Sequence, residues 1–143
     1  MASRKAKVDK QVQSILARNR TDVQQRAQGY IIAKLYFDIK EYSLAKQYVG
    51  GYLVEKPRDP RANELLGEIH EALEDMEDAV ECYKKAFESG DSRYNPVVLK
   101  ICETYCDIGA DVQILKYWLQ KCEGLYPKSC TIVRLKVMFW YFF

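Results

Sequence analysis

From Gly29 to Phe87 the chain writes one pattern twice at a spacing of 34 residues: Ile32, Ala33, Tyr36, Ala45 and Tyr52 return as Leu66, Gly67, His70, Ala79 and Ala86. A pattern repeated at fixed spacing calls for a repeated supersecondary unit, because one short unit cannot bury its apolar face and needs a neighbour to cover it. Small residues at Ala33, Ala45, Gly67 and Ala79 point the same way: two helices cross closely only where no long side chain separates them. In the first copy a helix A is expected over about residues 29–39 and a helix B over about 43–54, with Ser43 as its N-cap. The second copy opens on Asp59-Pro60, a capping residue followed by proline at the first helical position, where the missing N–H costs nothing. Leu65, Leu66, Ile69 and Leu73 then share one helix face, and Met76, Val80, Tyr83 and Phe87 continue it on the partner helix.

The period is that of tetratricopeptide (TPR) helix-turn-helix repeats, and Leu66-Gly67-x-x-His70 followed by Ala79-x-x-x-Tyr83 is the closest fit to their pattern. A Ser-Gly-Asp-Ser loop precedes a third unit that restarts at Asn95-Pro96. There Leu115, Leu119 and Cys122 take the places of Ala79, Tyr83 and Ala86. The expected fold is therefore an all-α, TPR-type α-solenoid of three helix-turn-helix units (about 26–59, 60–93 and 96–129) between flanking helices. Residues 1–28 supply an N-terminal basic capping helix, with Val8, Val12, Ile15 and Leu16 at helical spacing, and an aperiodic linker from Asn19 to Gln28. Residues 129–143 supply a C-terminal capping helix ending in seven apolar or aromatic side chains, Val137 to Phe143. That end either packs on the third repeat and a continuation of the solenoid or reflects where the chain stops.

Charge is unevenly spread. Residues 1–28 carry +5, residues 29–90 carry −5 and the remainder +2. Five cysteines without a CxxC pair, and no apolar segment behind the first basic residues, fit a reducing cytosolic or nuclear setting. No apolar run approaches the roughly 20 residues of a membrane-spanning helix, so no membrane insertion is expected.

Nothing in the pattern supplies a nucleophile with its base, a four-ligand zinc set or a phosphate-cradling glycine loop, so no enzyme, metal or cofactor is expected. His70, the single histidine, is read with Ala33, Tyr36, Ala45, Gly67, Ala79, Tyr83 and Ala86 as a repeat-packing residue. Cys102 and Cys106, one helical turn apart, read as small buried hydrophobes. Two binding surfaces remain. Lys34, Lys40, Arg58 and Arg61, with Tyr30 and Phe37 nearby, have the basic and aromatic composition that holds single-stranded nucleic acid; the plainer reading is scattered solubilising charge. Glu64, Glu68 and Glu71 line one side of the second helix A and would select a helical or basic peptide; the plainer reading is a solvated face. A chaperone-type carboxylate clamp is missing, since Tyr30, Lys34, Leu65, Val97 and Ile101 stand at its positions.

The run Tyr30-Ile31-Ile32-Ala33-Lys34-Leu35-Tyr36-Phe37-Asp38-Ile39-Lys40-Glu41-Tyr42-Ser43-Leu44-Ala45-Lys46-Gln47-Tyr48, with Arg58-Asp59-Pro60-Arg61-Ala62, Ala79-Val80-Glu81-Cys82-Tyr83-Lys84, Val98-Leu99-Lys100-Ile101 and Lys116-Tyr117-Trp118, resembles the N-terminal TPR domain of the giant Ran-binding nucleoporin family. The resemblance implies a scaffold or adaptor at the cytoplasmic face of the nuclear pore complex, acting in nucleocytoplasmic transport of mRNA and protein. Its implied partners are other nucleoporins or transport factors and single-stranded RNA. It also implies an RNA patch at Lys34, Lys40, Arg58 and Arg61, while Glu64 departs from the family pattern, which is basic there. Ran contact belongs to family regions not contained in these residues.

Overall fold

The computed structural model describes residues 3–128, and these form helices without strands. Eight α-helices follow in order among them: α1 (Arg4–Ala17), α2 (Asp22–Ala27), α3 (Gly29–Asp38), α4 (Tyr42–Glu55), α5 (Pro60–Ala72), α6 (Met76–Ser89), α7 (Val97–Asp107) and α8 (Val112–Leu125). Helices α3 and α4, α5 and α6, and α7 and α8 pack as helix-turn-helix pairs. The second helix of each pair packs on the first helix of the next, α4 on α5 and α6 on α7. This nearest-neighbour scheme is the solenoid. The capping helix expected from residue 129, and the Val137 to Phe143 end, lie outside the described residues.

The turns inside the three pairs are built alike. Each passes through one left-handed residue, Lys40 (φ 64°), Glu74 (φ 64°) and Gly109 (φ 67°). The next residue's N–H closes it back onto the first helix: Glu41 onto the Tyr36 carbonyl at 2.9 Å, Asp75 onto His70 at 2.8 Å and Ala110 onto Tyr105 at 3.0 Å. Tyr36, His70 and Tyr105 therefore occupy one structural position.

Close approach within the pairs depends on the small residues. A β-carbon on Gly67 would lie 2.6 Å from the Tyr83 ring, and one on Gly29 would lie 2.3 Å from the Tyr48 carbonyl oxygen. Ala33, Ala45, Ala79 and Ala86 are wholly buried, and Tyr36, His70 and Tyr83 are buried beside them. Leu115, Leu119 and Cys122 are likewise buried in α8.

Three local expectations are corrected. Residues 22–27, read as linker, form α2; Thr21 and Gln24 close a reciprocal capping box, and Arg26 pins α2 to Glu55 of α4 at 2.7 Å. Ser43 is not a cap but lies in the first turn of α4, whose N-cap is Glu41. Asn95-Pro96 does not repeat the Asp59-Pro60 start, because a 3-10 turn (Ser92–Tyr94) intervenes and α7 begins without a side-chain cap.

Helix α1 buries Val8 and Val12 against the first pair, and Asp9 accepts a hydrogen bond from the Tyr36 hydroxyl at 2.7 Å. Among the described residues no helix is long and apolar enough to cross a membrane.

Candidate functional site

Two prolines make the α4–α5 connection short and stiff, and a basic cleft forms around it. Asp59 caps α5, its carboxylate accepting from the N–H of Arg61 at 2.9 Å and of Ala62 at 3.3 Å, and also from the Tyr52 hydroxyl. Burial works against that charge. The Tyr52 hydroxyl and the backbone N–H groups outweigh it and hold the carboxyl below its ordinary range. A fixed first turn of α5 then places the Arg61 guanidinium 3.9 Å from the centre of the Tyr30 ring. Tyr30 leans in turn on Tyr52, with ring centres 6.2 Å apart, and the Lys56 ammonium lies 5.8 Å from the Tyr52 ring. Lys56, Asp59 and Arg61, with Arg58, Arg93 and Tyr94, line a cleft of about 690 Å³.

This arrangement offers cations to phosphate oxygens and aromatic faces to bases. Arg58 and Arg61 make no salt bridge among the described residues, whereas Arg93 is held by Asp91 at 2.9 Å. Of the four basic residues singled out in the sequence, Arg58 and Arg61 lie in the cleft. Lys34 sits one turn along α3 from Tyr30, 5.2 Å from the Phe37 ring and 3.5 Å from Asp38. Lys40 lies beyond the far end of α3, about 15 Å from Tyr30 at 1.5 Å per residue, and does not line the cleft. Lys56, Arg93 and Tyr94 were not singled out. Lys56 was within reach, since it sits one residue before Pro57; Arg93 and Tyr94 enter from the third unit's 3-10 turn, which local sequence does not announce.

The three glutamates meet internal partners. The Lys100 ammonium, reaching from α7, lies 3.3 Å from Glu64 and 2.8 Å from Glu68. Glu71 accepts a hydrogen bond from the buried Tyr83 hydroxyl at 2.6 Å. Glu64, the acidic departure from the family's basic pattern, thus shares the single Lys100 charge with Glu68. Although burial opposes the Lys100 charge, Glu68 and Glu64 outweigh it and hold the ammonium above its ordinary range.

Elsewhere the chemistry is quiet. Burial pushes the Cys102 thiol well above its ordinary range and Cys106 upward as well, the opposite of an activated thiolate. Cys82 is raised to about 11 by burial. His70 is pushed below its ordinary range by burial and by Lys46, against the pull of Asp78 and Asp75.

A family model described as a tetratricopeptide repeat matches residues 60–89, the α5–α6 pair. RANBP2-like and GRIP domain-containing protein 8 of Homo sapiens is 38% identical over 136 residues, which is 95% of this chain and 8% of that protein. E3 SUMO-protein ligase RanBP2 of Homo sapiens is 36% identical over 136 residues, 95% of this chain and 4% of that protein. RANBP2-like and GRIP domain-containing protein 1 of Homo sapiens is 41% identical over 111 residues, covering 78% of this chain and 6% of that protein. The chain thus spans less than a tenth of the length of these relatives. In fold it is similar to the crystal structure of MamA, with a TM-score of 0.67 at 14% identity, covering 87% of this chain and 69% of that one. The chain is a TPR-type helical repeat protein, homologous over most of its length to a segment of RanBP2 and the RanBP2-like, GRIP domain-containing proteins.

Proposed function

We propose that the chain is a non-enzymatic TPR scaffold of the nuclear pore complex that holds single-stranded RNA in the cleft between its first and second helix pairs. TPR repeats commonly serve as protein-interaction modules, and the homology to the RanBP2 group supports the pore setting. The observation that carries the RNA reading is Arg61, which lines a cleft together with Lys56, Arg58 and Tyr94 while its guanidinium lies 3.9 Å from the centre of the Tyr30 ring. A guanidinium held over a ring face still has N–H groups to offer a phosphate, although Arg61 also interacts with the Tyr52 hydroxyl and with Asp59, while aromatic faces accept bases. Peptide capture by Glu64, Glu68 and Glu71 ranks second, because a basic peptide would first have to displace Lys100 and Tyr83 from them.

Binding of a fluorescent single-stranded oligouridine, followed across salt concentrations, tests this reading. Three phosphates neutralised by Lys56, Arg58 and Arg61 give a log–log slope of about −2, from roughly −0.7 per phosphate. Replacing Arg58 and Arg61 by alanine is expected to bring the slope to about a third of that value. An unchanged slope in that variant, or no binding by the parent chain, rejects the proposal.

A further inference from the structure

The first turn of α6 assembles a second polar cluster that takes no part in the cleft. His70 Nδ1 lies 3.9 Å from an Asp75 carboxylate oxygen, and the ligand atoms of His70, Asp75 and Asp78 all fall within 4.8 Å of one another. His70 is only 8% exposed, and its Nδ1 is a buried polar atom with no hydrogen-bond partner. A buried imidazole nitrogen left unpaired is costly unless something fills its lone pair or takes its proton. Asp75 adds a second oddity. It occupies the N-cap of α6, yet its side chain makes no capping hydrogen bond, unlike Asp59 and Asp111 at the starts of α5 and α8. Its carboxylate faces His70 instead.

The equivalent positions in the first unit are Tyr36, Glu41 and Leu44, and the Tyr36 hydroxyl there is satisfied by Asp9. In the third unit the matching turn joins Tyr105 to Ala110. The imidazole and its two carboxylates thus come together only in the second unit's turn. We propose that His70 Nδ1, Asp75 and Asp78 form a divalent-cation site, best matched to zinc, that ties the end of α5 to the first turn of α6.

One nitrogen and two carboxylate oxygens suit zinc, with water in the fourth position. Bond lengths near 2.1 Å require ligand atoms about 3.4 Å apart, so the present separation must shrink. Both carboxylates can rotate to do this, since Asp75 is half-exposed and Asp78 exposed. Glu74 and Glu77, flanking the same turn, raise the local cation concentration, while Lys46 on α4 faces the imidazole and opposes it.

His70 is the chain's single histidine, so its ring protons report on this site alone. One equivalent of zinc chloride is expected to shift those proton signals, and calorimetry is expected to show at least tenfold weaker binding in the Asp75→Asn/Asp78→Asn variant. Because both substituted side chains are solvent-exposed, that variant is expected to keep the fold. The buried thiols are the competing soft ligands. Cobalt(II) distinguishes them, because thiolate ligation adds strong near-ultraviolet absorption that a nitrogen and oxygen site lacks. Unmoved ring signals, equal affinity in the double variant, or thiolate absorption at the first equivalent of cobalt would each overturn the assignment.

Discussion

The two halves of the solenoid are cored differently from the way the sequence repeats. One apolar core joins α1, α3, α4 and α5, from Val8 and Val12 through Ile32 and Val49 to Leu65 and Ile69. The other joins α6, α7 and α8, from Val80 and Tyr83 through Ile101 to Trp118. Their boundary falls between α5 and α6, inside the second repeat, although these two helices pack closely. What bridges it is polar or sterically tight: Gly67 against the Tyr83 ring, Tyr83 on Glu71, and Lys100 on Glu64 and Glu68. Sequence period and cohesive unit are therefore different things. The repeat defines the helix pair, and the packing defines which helices share a core.

The largest effect is expected where the two cores touch. In Gly67→Val the new β-carbon would meet ring atoms at 2.6, 2.7 and 3.1 Å, and Tyr83 is wholly buried and cannot swing away. Overpacking of this kind costs about 3 kcal/mol. Urea denaturation measures it, and adding Tyr83→Leu is expected to restore part of the loss, a non-additivity that marks direct contact. Gly50→Ala in α4 is the control. Nothing lies near its β-carbon, so helix propensity alone should stabilise it by about 0.5–1 kcal/mol. If both glycine substitutions gave the same sign, the close approach at the joint would be wrong.

Next in size is the ionic bridge. Lys100→Ala leaves Glu64 and Glu68 without their shared cation. With the lysine more than a third exposed, solvent screening limits the cost to about 1 kcal/mol. Its pH dependence has a definite sign. The folded-state ammonium is held above its ordinary range, so its contribution is fully present below the unfolded lysine value of about 10.4 and fades as pH rises through the higher folded value. The difference between parent and variant is thus expected to stay level from pH 6 to 9 and to close above about pH 10.5. A gap that closes already at neutral pH would place another group in control.

Much of this was legible in the residues, and the exceptions have physical causes. The 34-residue spacing located both helices of the first two pairs because small and large apolar residues must recur where helices cross. Helix α2 was missed because six residues are too few to show an apolar period, although the Thr21-x-x-Gln24 capping signature was there to be read. Ser43 misled because the turn before α4 is closed by a backbone bond and a left-handed residue rather than by a side-chain cap. Arg58 and Arg61 could be paired from sequence since only Asp59 and the stiff Pro60 separate them; Arg93 and Tyr94 reach the cleft only through the stacking of one unit on the next. Lys100 was hidden for the same reason. It stands 36 residues from Glu64, one repeat and a two-residue insertion away, and that offset becomes a contact only once the units stack.

The smallest expected effect compares the turns themselves. Lys40 and Glu74 adopt left-handed backbone that strains any residue with a β-carbon, while Gly109 takes the same conformation freely. Lys40→Gly and Glu74→Gly should therefore each stabilise the chain, by about 0.5 kcal/mol once the greater entropy of glycine in the unfolded chain is subtracted. Gly109→Lys should cost about 1 kcal/mol, and that cost must come from the backbone, because nothing lies within 4 Å of its β-carbon. Urea midpoints of the three variants measure the differences. If the turns are equivalent, the gains at Lys40 and Glu74 match despite their opposite charges. A gain at one and a loss at the other would mean that side-chain electrostatics, and not the shared turn conformation, governs these positions.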